Sequence, residues 1–151
     1  NERLVKATLL QNKAKAARFI SLYAHTGSAF DGAAQVLARI VDLPTFDAVI
    51  LGMGEDGNTS SLFPCSAQIK QGLADHAPAV LATEPATAPY QRMSLSLPRL
   101  LNSRHIFLHL VGSNKLSVLD KAMAGTDPYT MPIRAFLQHP VATVTVMYTA
   151  N

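Results

Sequence analysis

Two hydrophobic periods run through this chain, and the switches between them mark its elements. Ala33, Val36, Leu37, Ile40 and Val41 recur at i, i+3, i+4, i+7 and i+8, the stripe of an amphipathic helix, and Pro44 ends it. Leu4, Val5, Thr8 and Leu9 make a shorter stripe, with Asn1 placed to cap that helix and Glu2 at its positive end. Residues 46–51 are a continuous apolar run broken only by Asp47. Such a run predicts a central strand buried on both faces of a parallel sheet, with neighbours expected at 19–23 and 106–111. A turn at 24–28 around Gly27 separates the first of these from the helix. Beyond residue 51 the pattern predicts a helix at 66–73 and a strand at 79–82, then a loop at 83–90 that contains Pro85 and Pro89. Met93, Leu95 and Leu97 alternate with Ser94 and Ser96, which reads as a strand with one wet face. A helical turn at 98–101, a helix at 116–124, a short proline-started helix at 132–137 and a last strand at 141–148 follow. Strands alternating with helices argue for an α/β domain, an open parallel sheet with helices on both faces, spanning residues 1–151 as one unit.

Composition narrows the function classes. The 151 residues are 48% hydrophobic and 15% charged, enough for a sizeable core. No run approaches the roughly 18 apolar residues of a membrane helix, so no membrane partner is expected. The formal charge of +3 favours anionic partners. Its Lys and Arg are scattered, however, and there is no tryptophan, which points to a phosphorylated small molecule and away from nucleic acid. Cys65 is the only cysteine, so there is no intrachain disulfide; the reading is a small half-buried residue in a reducing, cytoplasmic protein. The five histidines show no ligand spacing. His105 and His109 stand four apart in a predicted strand, roughly 13 Å from each other. No metal site is expected.

The candidate chemistry sits after the apolar run, in Gly52-Met53-Gly54-Glu55-Asp56-Gly57-Asn58-Thr59-Ser60-Ser61-Leu62-Phe63-Pro64. Gly52, Gly54 and Gly57 allow positive φ and close backbone approach to a ligand, and ligands of α/β sheets bind at the carboxyl ends of strands. Asp56 and Asn58 are the polar side chains placed there, and the turn is expected to open a short helix. Asp56-Gly57-Asn58-Thr59 also reads as an ordinary tight turn followed by a helix cap. Lys115 follows a predicted strand and the turn Gly112-Ser113-Asn114, at the start of a helix. A cation beside free backbone amides suits a phosphate, and a plain surface lysine has the same local sequence. Arg92 and Arg134 are further substrate-binding candidates, each equally able to cap carbonyls or to pair with Asp127 or Glu84.

The motif resembles the signature of the 6-phosphogluconolactonases, Gly-Met-Gly-x-Asp-Gly-His-Thr-x-Ser-Leu-Phe-Pro, with Asn58 where that pattern has histidine. Three further blocks follow in the family's order. They are Gln91-Arg92-Met93-Ser94-Leu95-Ser96-Leu97-Pro98 with Leu101-Asn102-Ser103-Arg104, then Gly112-Ser113-Asn114-Lys115, then Met131-Pro132-Ile133-Arg134-Ala135. The resemblance implies a Rossmann-like sheet and cofactor-free hydrolysis of a phosphorylated sugar lactone, 6-phospho-D-glucono-1,5-lactone. It implies a base at the position of Asn58, an orienting role for Asp56 and a phosphate contact for Lys115. A carboxamide holds water but takes no proton near neutrality, so the alternative is a catalytically inactive sugar-phosphate-binding protein. The related glucosamine-6-phosphate deaminases carry a carboxylate after the motif, where this chain has Leu62-Phe63-Pro64. The family also has a Ser-Gly-Gly-Ser loop and an Asp-Glu-Arg motif ahead of a segment similar to Asn1-Glu2-Arg3-Leu4. The expectation is therefore the C-terminal two-thirds or so of the family fold, with a bare sheet edge covered by a preceding segment or by a second copy in a homo-oligomer.

Overall fold

A computed structural model describes residues 1–87 and 89–150; Ala88, inside the expected 83–90 loop, lies outside the described residues with Asn151. In chain order the elements are α1 (Glu2–Thr8), a 3₁₀ turn (Asn12–Ala16), α2 (Ala29–Ile40), β1 (Phe46–Leu51) and α3 (Ile69–Gly72). They continue with β2 (Val80–Thr83), β3 (Arg92–Leu95), α4 (Leu97–Leu101), β4 (Ser103–Val111), α5 (Asn114–Ala124), α6 (Arg134–Leu137) and β5 (Val144–Thr149). No helix among the described residues is long and apolar enough to cross a membrane.

The fold is α/β with a parallel sheet, in the order β1-β4-β5. β4 is the longest strand because it pairs on both sides, Val49 with Ile106 and Leu51 with Leu108 on one, Leu108 with Val146 on the other. The pleat sends Val49, Leu51, Ile106, Leu108 and Leu110 to the same side, where they are buried. Leu62, Ile69, Leu81, Leu97, Leu100, Ala122, Ile133 and Phe136 complete that core. A second, smaller cluster sits between α2, through Val36 and Ile40, and Val80 of the antiparallel β2–β3 hairpin. α2 begins as its sequence requires, with the Ser28 hydroxyl accepting from the Asp31 N–H at 3.1 Å.

Four expectations are corrected. Residues 19–23 are not a strand; the Arg39 guanidinium takes the Ser21 and Tyr23 carbonyls at 2.9 and 2.7 Å, so a side chain occupies acceptors that a ladder would have used. β1 is an edge strand rather than a central one, since β4 is its only partner among the described residues. Its Ile50 is 74% exposed, and the helices that cover the sheet lie on one face. The polar side of β3 is dry: Ser94 and Ser96 are 1% and 0% exposed. Ser94 is buried because its hydroxyl donates to the Ser60 carbonyl in the motif turn. Finally, the motif does not open a helix. Thr59 and Leu62 form a bridge across a tight reversal in which Ser60 and Ser61 stand at φ 49° and 60°, and the next helix waits until Ile69.

Candidate active site

The motif loop emerges from the carboxyl end of β1 and closes on itself. The Gly54 N–H donates to the Asn58 carbonyl at 2.9 Å, and the Gly57 N–H to the Gly54 carbonyl at 3.1 Å. Inside this ring Asp56 Oδ1 accepts twice from Asn58, from its backbone N–H at 3.0 Å and from its side-chain Nδ2. Both nitrogens converge on one carboxylate oxygen, so the Asn58 amide is held in one orientation with Oδ1 as its acceptor. Asp56 and Asn58 are both half-buried. A Cβ on Gly54 would overlap the Asn58 carboxamide, so only glycine admits this clasp.

Gly57 is fixed from behind. Its φ is +73°, and a Cβ there would stand 2.8 Å from Met131 Cβ, while its carbonyl accepts from the Ile133 N–H at 2.9 Å. The Met131-Pro132-Ile133 segment is thus a buried wall against the motif. Gly52 is exposed, and a Cβ on it would meet nothing within 4 Å. It borders open space at the mouth of the loop.

Lys115 reaches the same loop from the first turn of α5: its Nζ donates to the Met53 carbonyl at 2.8 Å. The lysine is half-buried, so its ammonium stands on the rim of the Asp56–Asn58 clasp with two donor positions left. Parallel strands bring it there. β1 and β4 pair in register, and both the motif loop and α5 follow their carboxyl ends.

The two arginines divide. Arg92 lies 5.6 Å from the ring centroid of Phe63, the apolar tail of the motif, and donates to the Pro89 carbonyl at 3.3 Å. Arg134 is buried and its guanidinium is spent within the fold, on three backbone carbonyls and the Thr130 hydroxyl. Nε donates to the Ala122 carbonyl, Nη2 to Lys121 and Nη1 to Asp127, at 2.9–3.0 Å. It closes the carboxyl end of α5, the carbonyl-capping role open to it in the sequence, and anchors the wall behind Gly57.

Three features of the site have no plain sequence signal. The Thr59 hydroxyl, in a residue 2% exposed, has no hydrogen-bond partner among the described residues. Ser94 and Thr83 hold the Ser60–Ser61 reversal, Thr83 through a 3.0 Å bond to the Ser61 carbonyl. Their only trace is the alternation of serine with apolar residues in β3, which reads the wrong way round. Cys65 is exposed rather than half-buried, and its hydrogen bond with Thr87 draws the thiol below its ordinary range. His139 accepts from the Val141 and Ala142 N–H groups at the amino end of β5, the opposite end of the sheet from Asp56. His105 and His109 lie exposed on β4.

Comparison with known proteins gives one answer. The profile described as glucosamine-6-phosphate isomerases/6-phosphogluconolactonase matches residues 1–146. A 6-phosphogluconolactonase of Mesorhizobium japonicum is 41% identical over 140 residues, 91% of this chain and 58% of its own length. One of Pseudomonas putida is 38% identical over 143 residues, covering 93% of this chain and 59% of that protein. The crystal structure of a 6-phosphogluconolactonase from Shewanella baltica OS155 superposes with a TM-score of 0.94 at 46% identity, over 98% of this chain and 64% of that one. The chain therefore spans somewhat under two-thirds of the length of these relatives.

Proposed function

Since the chain belongs to the family of glucosamine-6-phosphate isomerases and 6-phosphogluconolactonases, we propose that it serves the hydrolysis of 6-phospho-D-glucono-1,5-lactone to 6-phosphogluconate, in the oxidative pentose phosphate pathway and in the cytoplasm. The observation that carries this reading is the Lys115 ammonium on the Met53 carbonyl, beside the Asp56–Asn58 clasp. A phosphorylated ligand with a carbonyl at its far end needs those two features on one rim. The relatives named above are lactonases, and the exposed, unpaired Cys65 suits a reducing compartment.

In the proposed reaction water adds to the lactone carbonyl and gives up a proton to solvent, the tetrahedral oxyanion collapses with cleavage of the bond between the carbonyl carbon and the ring oxygen, and the ring oxygen takes a proton from solvent to become the new hydroxyl. Lys115 grips the phosphate with the donors its bond to Met53 leaves over. Gly52 gives the sugar room at the mouth, while Gly54 and Gly57 shape the loop beneath it. Asp56 holds the Asn58 carboxamide so that its Oδ1 accepts a hydrogen bond from the attacking water. Orientation is all that Asn58 supplies, because a carboxamide does not take the proton. A missing general base lowers the rate by about 10²–10⁴. Arg92 stands at the Phe63 end of the motif as a secondary contact, and Arg134 positions the wall behind Gly57.

The 151 residues contain neither a Ser-Gly-Gly-Ser loop nor an Asp-Glu-Arg motif, so a base without a firmly held substrate gains little from proximity. The test is a coupled lactonase assay on four proteins. They are this chain and this chain joined to the part of the S. baltica relative it does not span, each with Asn58 kept and with Asn58→His. Background turnover is expected from the chain alone, and Asn58→His raises the rate only in the joined protein. Robust turnover by the short chain with Asn58 in place would move the base to another residue. Tight 6-phosphogluconate binding without turnover in all four would make the protein a sugar-phosphate binder.

A further inference from the structure

The motif carries two non-glycine residues side by side in the left-handed region, Ser60 at φ 49° and Ser61 at φ 60°. Around them the Leu62 N–H donates to the Thr59 carbonyl at 2.7 Å, and the Thr59 N–H to the Leu62 carbonyl at 3.4 Å. This is a two-residue hairpin turn with both central residues at positive φ, the type I′ pattern, for which Asn-Gly is the ordinary sequence. Serine is a poor occupant of either position, since its Cβ crowds the following carbonyl oxygen there. Strain of this kind persists only where the surroundings impose it.

The surroundings here are two hydroxyls from the β2–β3 hairpin. The Ser94 hydroxyl donates to the Ser60 carbonyl, and the Thr83 hydroxyl to the Ser61 carbonyl at 3.0 Å. Both residues are 1% exposed. A trans peptide is planar, so holding those two carbonyls fixes the peptide planes on either side of Ser61 and leaves its φ and ψ little freedom. The ends of the turn are anchored in the core, Thr59 at 2% exposure and Leu62 at 0%.

Asn58 is the residue that enters this turn. Its carbonyl takes the Gly54 N–H, and its two nitrogens converge on Asp56 Oδ1. A turn relaxed to negative φ splays the segments it joins. The Thr59–Leu62 bond, already longer than an ordinary N–H···O bond, is then the first to go, and the rotation passes to Asn58 through the peptide it shares with Thr59. We infer that Ser94 and Thr83 are positioning residues: by keeping Ser60 and Ser61 left-handed they set the direction of the Asn58 carboxamide, and with it the water that Asn58 orients. Lys115 reaches the loop from α5 through the Met53 carbonyl, ahead of the turn in the chain, so the grip on the phosphate is independent of this clamp. The kinetic half of the inference rests on the proposed lactone hydrolysis, and the conformational half does not.

The test is a cycle between the clamp and the residues it holds. Thr83→Val and Ser94→Ala each remove one hydroxyl, and Thr83→Ser keeps it. Ser60→Gly together with Ser61→Gly removes the need for both, because glycine takes positive φ freely. In the 151-residue chain the readout is the side-chain amide of Asn58 by NMR. Thr83→Val and Ser94→Ala are expected to shift its resonances and speed its exchange at least tenfold, and Thr83→Ser to leave both in place. In the double-glycine background the same two substitutions are silent. In the chain joined to the unspanned part of the S. baltica relative and carrying Asn58→His, Thr83→Val and Ser94→Ala are expected to lower kcat at least fivefold while KM for the lactone moves less than twofold. An Asn58 amide indifferent to both substitutions overturns the inference. So does a disturbance that the glycines fail to remove, since the two hydroxyls would then serve packing alone. An unmoved kcat beside a disturbed amide overturns the positioning role in the reaction. A joined protein with no turnover counts against the proposed reaction, and the amide cycle still decides the clamp.

Discussion

Gly57 shows how much of this site rests on single residues. Its carbonyl bonds Ile133 and its φ of +73° excludes a side chain that Met131 would in any case obstruct. A conformation open to glycine at little strain would be raised by roughly 1–2 kcal/mol with a Cβ present. Asn58 is determined in the same local way, because Asp56 binds both of its nitrogens to one oxygen. Lys115 differs, since its ammonium has a protein partner and capacity to spare. Lys115→Ala is expected to weaken 6-phosphogluconate binding by about 1.5–3 kcal/mol, the range for a hydrogen bond to a charged group. Calorimetric titration of both proteins decides it; equal affinities would leave Lys115 as a strut for the Met53 carbonyl and nothing more.

Among elements, the β2–β3 hairpin has the least obvious task. Among the described residues it belongs to no larger sheet, yet Ser94 of β3 and Thr83 of β2 hold the two carbonyls of the Ser60–Ser61 reversal. Both hydroxyls are 1% exposed, and the reversal keeps two non-glycine residues at positive φ. The strain is sustained by bonds from a distant hairpin. Ser94→Ala removes the donor to the carbonyl of the exposed Ser60, and the net loss of such a hydrogen bond is about 0.5–1.5 kcal/mol. The expected readout is a lower urea midpoint together with faster amide exchange at Thr59 and Leu62. Unchanged exchange there would mean that the bridge between those residues holds the turn alone. At the start of the chain, Glu2 is tied to Lys6 and to Ser21, and these bonds draw its carboxyl below the ordinary range. A depressed carboxylate contributes its stabilisation above the unfolded pKa and loses it as pH falls through the folded one. Acid therefore loosens the contact between α1 and residue 21.

At the scale of the molecule, one sheet separates a packed side from an open one, and the two sides answer mutation differently. Leu108 is 0% exposed at the centre of β4, facing the core, whereas Ile50 stands 74% exposed on the other face. Leu108→Ala is expected to lower stability by about 2–5 kcal/mol, the transfer and cavity terms together. Ile50→Ala changes it by less than about 1 kcal/mol, because only β-propensity is at stake. Urea denaturation of the two variants checks the asymmetry, and a large loss from Ile50→Ala would show that something in the chain covers that face.

Residue order alone determined the features that depend on neighbours in the chain. The α/β class, the helix over residues 33–41, the strand at 46–51, the motif loop at its carboxyl end and the placement of Lys115 at a helix start all follow from periodicity, caps and turn residues, which act over one or two turns. The resemblance carried by the motif extended this to the family. Tertiary structure alone decided which hydrogen-bond partner each group found. Residues 19–23 have strand composition, but Arg39, sixteen to eighteen residues away, holds their carbonyls. Ser94 and Ser96 have the pattern of a wet face, but the motif turn lies over Ser94 and dries it. Arg134 has the look of a ligand contact, but the carbonyls at the end of α5 take its donors. The apolar run of β1 fits a central strand, and only the sheet order makes it an edge with Ile50 bare. In each case a residue's own character was legible, while its partner came from distant chain, and a local pattern carries no information about which distant group will arrive.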